Sequence, residues 1–68
     1  EAAVRALGFA DVRVRHYDDT ARIELPVHDL VRAASIADQL VAGVTAAGYR
    51  YATLDLAGLR SGNLNATR

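Results

Sequence analysis

The sequence predicts an α+β unit: a small three-stranded sheet with helices on one face, in the order α-β-β-α-β. Three observations predict it. The apolar period is helical over the first residues, falls to two from Asp11, returns to helical spacing from Asp29 and falls to two again at Tyr51. Chain-breaking residues stand at or near each change, with Gly8, the Asp18-Asp19 pair, Pro26 and Gly48 as punctuation. Apolar residues make up 51% of the 68 residues and charged ones 24%, with a single proline. Such a composition belongs to an ordered globular chain, and this length suffices for one core only, so residues 1–68 read as one domain.

The opening EAAVRALGF sets Ala3, Val4 and Leu7 at helical spacing, and Gly8 then suits a left-handed C-cap. The last turns of a helix are predicted there. Val12 and Val14 alternate with Arg13 and Arg15, and Ala21, Ile23 and Leu25 alternate with Arg22 and Glu24. Strands near 11–17 and 20–26, joined by a tight turn at Asp18-Asp19, fit this pattern, with Pro26 ending the second because it has no amide hydrogen for a ladder. Leu30, Ala33, Ala37, Leu40, Val44 and Ala47 then predict a helix over about 29–47, closed by Gly48. Ser35 followed by Asp38 resembles an N-terminal cap, so the helix has an alternative reading as a short turn that restarts near Ile36. Tyr51 to Ala57 alternates again as a third strand near 51–57, and Gly58 to Arg68 reads as a loop or tail. The helix between strands two and three makes a right-handed crossover. Alternation alone leaves open whether strand three lies antiparallel beside strand one or parallel beside strand two.

Eight basic residues balance eight acidic ones, which argues against a nucleic-acid partner, because affinity for a phosphate backbone rests on a net excess of positive charge. All eight are arginine, a bias that a GC-rich genome explains as readily as chemistry does. The absence of cysteine excludes disulfides, thiolate metal sites and a cysteine nucleophile from these residues. The chain opens on Glu1 and contains no methionine, so a fragment or processed piece of a longer protein is expected. No apolar run approaches the about 18 residues needed to span a bilayer, and a soluble, cytoplasmic protein without a membrane partner is the expectation.

With Val12, Val14, Ala21, Ile23, Leu25, Ala52, Leu54 and Leu56 turned toward the helices, the alternation sends Arg13, Arg15, Tyr17, Arg22, Glu24, Tyr51, Thr53 and Asp55 to the other face. Planar guanidinium forks on a sheet suit carboxylates and phosphates, so one reading is an anion-recognition face. The other is a solvated face whose cross-strand pairs contribute a few tenths of a kcal/mol each. His16 and His28 lack a third ligand at metal-binding spacing, so no metal site is predicted. Asp18 and Asp19 suit a turn better than a catalytic carboxylate pair. Gly58, Ser61 and Gly62 match no phosphate-loop spacing. Tyr49 and Tyr51 flank Arg50 as in some single-strand nucleic-acid binders, but in a neutral domain packing is the expected use.

Four strings together resemble a family. They are Gly8-Phe9, Val12-Arg13-Val14-Arg15-His16, Ala21-Arg22-Ile23-Glu24-Leu25, and Gly48 to Leu56 running on into Gly58-Leu59-Arg60-Ser61-Gly62-Asn63-Leu64-Asn65. The whole resembles the carboxy-terminal domain of ATP-dependent sacrificial sulfur transferases of the LarE type. The last string is the most specific, because it couples a strand pattern to an irregular tail. Asn63-Leu64 stands where the family pattern carries Ser-Met.

The resemblance implies an upstream domain like that of the PP-loop ATP pyrophosphatases, binding ATP and Mg and adenylylating a carboxylate of a pyridinium dicarboxylate mononucleotide. It implies a sulfur donor, a sacrificial cysteine or an iron-sulfur cluster, that also lies upstream, and a product destined for a nickel-pincer cofactor. The family's RxR arginines fall on Arg13 and Arg15, with substrate phosphate as the implied ligand. Glu24, Asp55 and Arg60 match family positions close to that site, and Arg22 shares their face. On this basis the 68 residues are an accessory, non-catalytic domain that contributes substrate-phosphate and subunit contacts, in a parent expected to be a homo-oligomer. A free-standing oligomerisation or small-ligand module is the alternative.

Overall fold

A computed structural model describes residues 1–59. Its elements are α1 (Ala2–Arg5), β1 (Arg13–Tyr17), β2 (Thr20–Glu24), a single 3-10 turn (Val27–Asp29), α2 (Leu30–Ser35), α3 (Ala37–Ala46) and β3 (Tyr51–Leu54). The class is α+β, and the sheet order is β1-β2-β3. β1 and β2 pair antiparallel with Val14 opposite Ile23, while β2 and β3 pair parallel with Ile23 opposite Leu54. The strand order left open by the sequence is therefore the parallel one, with β1 and β3 as the two edges.

The hairpin closes on the expected aspartates. Asp18 has φ 53°, a left-handed conformation that Asp tolerates better than most residues, and Asp19 carbonyl oxygen accepts the amide of Arg50 at 2.7 Å, tying the turn to the start of β3. Gly8 and Gly48, at φ 102° and 106°, turn the chain out of α1 and α3 as the capping argument requires.

The core is assembled from the predicted parities. Val4 of α1, Ile23 of β2, Ala33 of α2 and Leu40 and Val44 of α3 are buried with Phe9, Val12, Ala21 and Leu25. Val14, Ala52 and Leu54 pack partly buried against them. Gly43 lets α1 approach α3, since a Cβ there would lie 3.3 Å from that of Ala3. Arg32, on α2, reinforces the N-terminal loop: its guanidinium lies 4.1 Å from the centre of the Phe9 ring, and Nη2 donates to Gly8 carbonyl oxygen at 3.1 Å and Asp29 Oδ1 at 3.3 Å. No helix among the described residues is long and apolar enough to cross a membrane.

Three expectations need correction. The helix over 29–47 is broken at Ile36, where φ −118° and ψ 37° separate α2 from α3. The break lies where the restart was considered, yet Ser35 does not cap α3: its hydroxyl donates back to Arg32 carbonyl oxygen at 2.6 Å, closing α2 instead. The third strand ends at Leu54 rather than 57, because Asp55 Oδ1 accepts the Ala57 amide at 2.9 Å and folds the chain into a turn. Leu56, expected in the core, is consequently 78% exposed. His16 keeps the helix-side parity but is exposed at the edge of β1, where Nδ1 hydrogen-bonds with the Tyr49 hydroxyl at 3.2 Å. The predicted tail beyond Leu59, with Arg60, lies outside the described residues.

Candidate functional site

Residues paired across a sheet share a face, so the register converts the sequence alternation into three transverse rows on the side away from the helices. Tyr17, Thr20 and Tyr51 form the first, nearest the hairpin turn. Arg15, Arg22 and Thr53 form the second. Arg13 and Glu24 form the third, with Asp55 just past the end of β3. Arg13, Arg15, Arg22, Glu24 and Asp55, named from the sequence, are thus gathered on one surface.

Arg15 directly faces Arg22, a pairing that repels unless an anion intervenes. Glu24 supplies one. Its Oε2 accepts Nε of Arg15 at 3.1 Å and Nη2 of Arg22 at 2.9 Å, a charge-assisted bridge between two adjacent strands. Glu24 is 7% exposed, the one buried charged residue in the described chain. Segment 55–59 passes beside it, anchored where the Leu59 amide donates to Leu25 carbonyl oxygen at 2.7 Å. The Arg22 guanidinium also lies 5.2 Å from the centre of the Tyr17 ring, and its buried Nε has no hydrogen-bond partner among the described residues.

Arg13 behaves differently. Although its Cα is opposite Glu24, its guanidinium makes no ion pair or side-chain hydrogen bond among the described residues. Three guanidiniums against the carboxylates of Glu24 and Asp55 leave one net positive charge on this surface. Arg13 and Arg15 share parity, so their Cα atoms are about 6.5 to 7 Å apart along the strand. Two depressions meet at β1. One, of about 330 Å³, is lined by Arg15, Tyr17, Arg22, Glu24, Asp55 and Gly58. The other, of about 490 Å³, follows the outer edge of β1 past Arg13, Arg15, His16 and Tyr17 to Glu1. Because Arg15 meets Glu24 through Nε, a phosphate or carboxylate group could take donors from Arg13 and from the Nη nitrogens of Arg15 without displacing Glu24.

Asp55 is on this surface with a defined task, accepting the Ala57 amide, and pairs with no arginine among the described residues. Sequence reasoning placed Glu24 on the face but missed its burial between two arginines, which depends on the cross-strand register. It also missed Tyr17 as a wall of the depression. Among the described residues no three His, Cys, Asp or Glu side chains stand close enough to hold a metal ion, and the nearest histidine-carboxylate pair is His28 and Asp29 at 3.7 Å.

Comparison with known proteins finds relatives over nearly the whole chain. A pyridinium-3,5-bisthiocarboxylic acid mononucleotide synthase from Lactiplantibacillus plantarum is 45% identical over 67 residues, 98% of this chain and 24% of that protein. An uncharacterized protein from Synechocystis, slr1717, is 43% identical over 68 residues, 96% of this chain and 25% of that protein. The chain therefore spans about a quarter of the length of the curated relatives it matches. No protein-family profile matches it.

Proposed function

We propose, for a chain that belongs to the LarE-type sulfur-transferase family, that it serves as the accessory phosphate-holding domain of an enzyme that thiolates a pyridinium dicarboxylate mononucleotide for nickel-pincer cofactor biosynthesis. The relative from Lactiplantibacillus plantarum carries the corresponding activity in its name, and its likeness to this chain extends over the strands that present the arginines. The single observation that carries the reading is the pair Arg13 and Arg15 on an edge strand, the first without an ionic partner among the described residues and the second only half engaged by Glu24.

In this reading Arg13 and Arg15 hold the substrate phosphate, Arg22 and Glu24 fix the Arg15 side chain, and Asp55 shapes the neighbouring turn. ATP and Mg belong to an upstream PP-loop domain, as the family resemblance implies. The sulfur donor is likewise upstream, since this chain has no cysteine. The apolar groove between α2, α3 and β3, lined by Ile23, Ala33, Leu40, Ala52 and Leu54, supports subunit contacts in a soluble, cytoplasmic homo-oligomer.

Isothermal titration of the full-length protein with the dicarboxylate mononucleotide tests this. Loss of a charge-assisted hydrogen bond costs on the order of 1.5 to 3 kcal/mol, so Arg13→Ala should weaken the mononucleotide roughly tenfold to a hundredfold. ATP affinity and thermal stability should be nearly unchanged, because Arg13 is exposed and its guanidinium makes no ion pair or side-chain hydrogen bond among the described residues. Equal affinities for wild type, Arg13→Ala and Arg15→Ala would leave these arginines as residues of a solvated sheet.

A further inference from the structure

The arginine row has a neighbour that the phosphate reading does not use. One step along β1 from Arg15, on the same face, stands Tyr17, 53% exposed and lining the same 330 Å³ depression as Arg15, Arg22 and Glu24. An exposed tyrosine needs an explanation when it walls a polar depression, and two further facts bear on it. The Arg22 guanidinium, 5.2 Å from the ring centre and itself held by Glu24, steadies the Tyr17 side chain from one side. Tyr17 also ends β1 at the tied hairpin, so its backbone is fixed by pairing with Thr20. The result is a flat, preoriented aromatic surface one two-residue step, about 6.5 to 7 Å, from the row that carries the cationic donors.

A 5′-mononucleotide has a matching outline. Its phosphate and its planar ring lie at opposite ends of one ribose, a spacer of comparable reach. We propose that Tyr17 is the ring platform of this surface: with phosphate on Arg13 and Arg15, the planar ring of the mononucleotide stacks on the Tyr17 side chain, making Tyr17 a specificity-determining residue that separates a mononucleotide from a bare sugar phosphate. The inference rests on the phosphate reading given above. A positively charged pyridinium ring gains in addition from the electron-rich face of a tyrosine. Tyr51, at the far end of the same row and 54% exposed, lines neither depression that meets at β1 and provides a matched control.

The test compares two probes on the full-length protein, nicotinic acid mononucleotide and ribose 5-phosphate, by isothermal titration. Tyr17→Ala should weaken the mononucleotide by roughly five- to a hundredfold, the range for loss of one aromatic stacking partner, and leave ribose 5-phosphate within about twofold. Tyr17→Phe should retain the wild-type preference, because stacking needs the ring and not the hydroxyl. Tyr51→Ala should change neither probe. Unchanged mononucleotide affinity in Tyr17→Ala, with both probes still weakened by Arg13→Ala, would overturn the platform and leave the phosphate site standing. If Arg13→Ala changes neither probe, the phosphate reading falls, and the platform falls with it. Equal losses of both probes in Tyr17→Ala would show that Tyr17 only props Arg22, which also overturns the proposal.

Discussion

Glu24 decides what the arginine surface can do. A buried carboxylate shared by two guanidiniums occupies donors that would otherwise meet an incoming anion, and it relieves the repulsion between Arg15 and Arg22. Stability and anion affinity should therefore respond to it in opposite directions. In the full-length protein Glu24→Gln is expected to lose about 1 to 3 kcal/mol, because Arg22 keeps a buried Nε and loses its charged acceptor. The same variant should bind inorganic phosphate more tightly than wild type. Thermal denaturation and phosphate titration check the two halves, and a variant as stable as wild type would reduce the bridge to a surface pair. Residue identities on this face were legible from alternation alone. Their partners were not, because Arg15 and Glu24 are nine residues apart and meet only once the Asp18-Asp19 turn sets the register.

Among the elements, the local signals worked where one residue type had one plausible use. Gly8 and Gly48 each cap a helix at positive φ, and the two-residue aspartate turn closes the hairpin. They failed where a side chain had two uses. Ser35 could cap the following helix or bond back to the preceding one, and it does the latter. Asp55 fits the outward parity of a strand, yet its carboxylate finds the Ala57 amide and ends the strand. Gly58 completes that turn at φ 88°, where a Cβ would stand 2.6 Å from Val27 Cγ2 and 3.4 Å from Leu25 carbonyl oxygen. Gly58→Ala should consequently cost about 1 to 3 kcal/mol from backbone strain and overpacking together. A melting temperature equal to that of wild type would mean that segment 55–59 moves aside at no cost.

For the whole molecule, the fold follows from burying three apolar stripes with two edges left over. The helices cover one side of the sheet, and the apolar groove beside β3 stays open, with the half-exposed Val41 among its lining residues. Exposed apolar surface on a small unit with free edges favours association. Sedimentation velocity of the full-length protein should give a species heavier than the monomer over a wide concentration range. A compact monomer throughout would assign the groove to contacts within a single polypeptide. Which strand lies in the middle was beyond the alternation pattern, since both alternatives bury the same residues. The parallel arrangement instead reflects how α3 and Gly48 return the chain beside β2.

The outer edge of β1 carries a further implication, for solubility rather than recognition. Its outer amides and carbonyls, which pair with no other strand among the described residues, could template a further strand from a neighbouring molecule, the first step of edge-to-edge aggregation. Arg13 and Arg15 recur at every second residue of that strand, so a second copy docking there through its own β1 would bring like charges face to face. The two side chains thus act as gatekeepers of the strand, with or without an anion in place. A double variant lacking both charges would expose a bare edge, and its behaviour in concentrated solution would reflect that lost protection as well as any lost ligand.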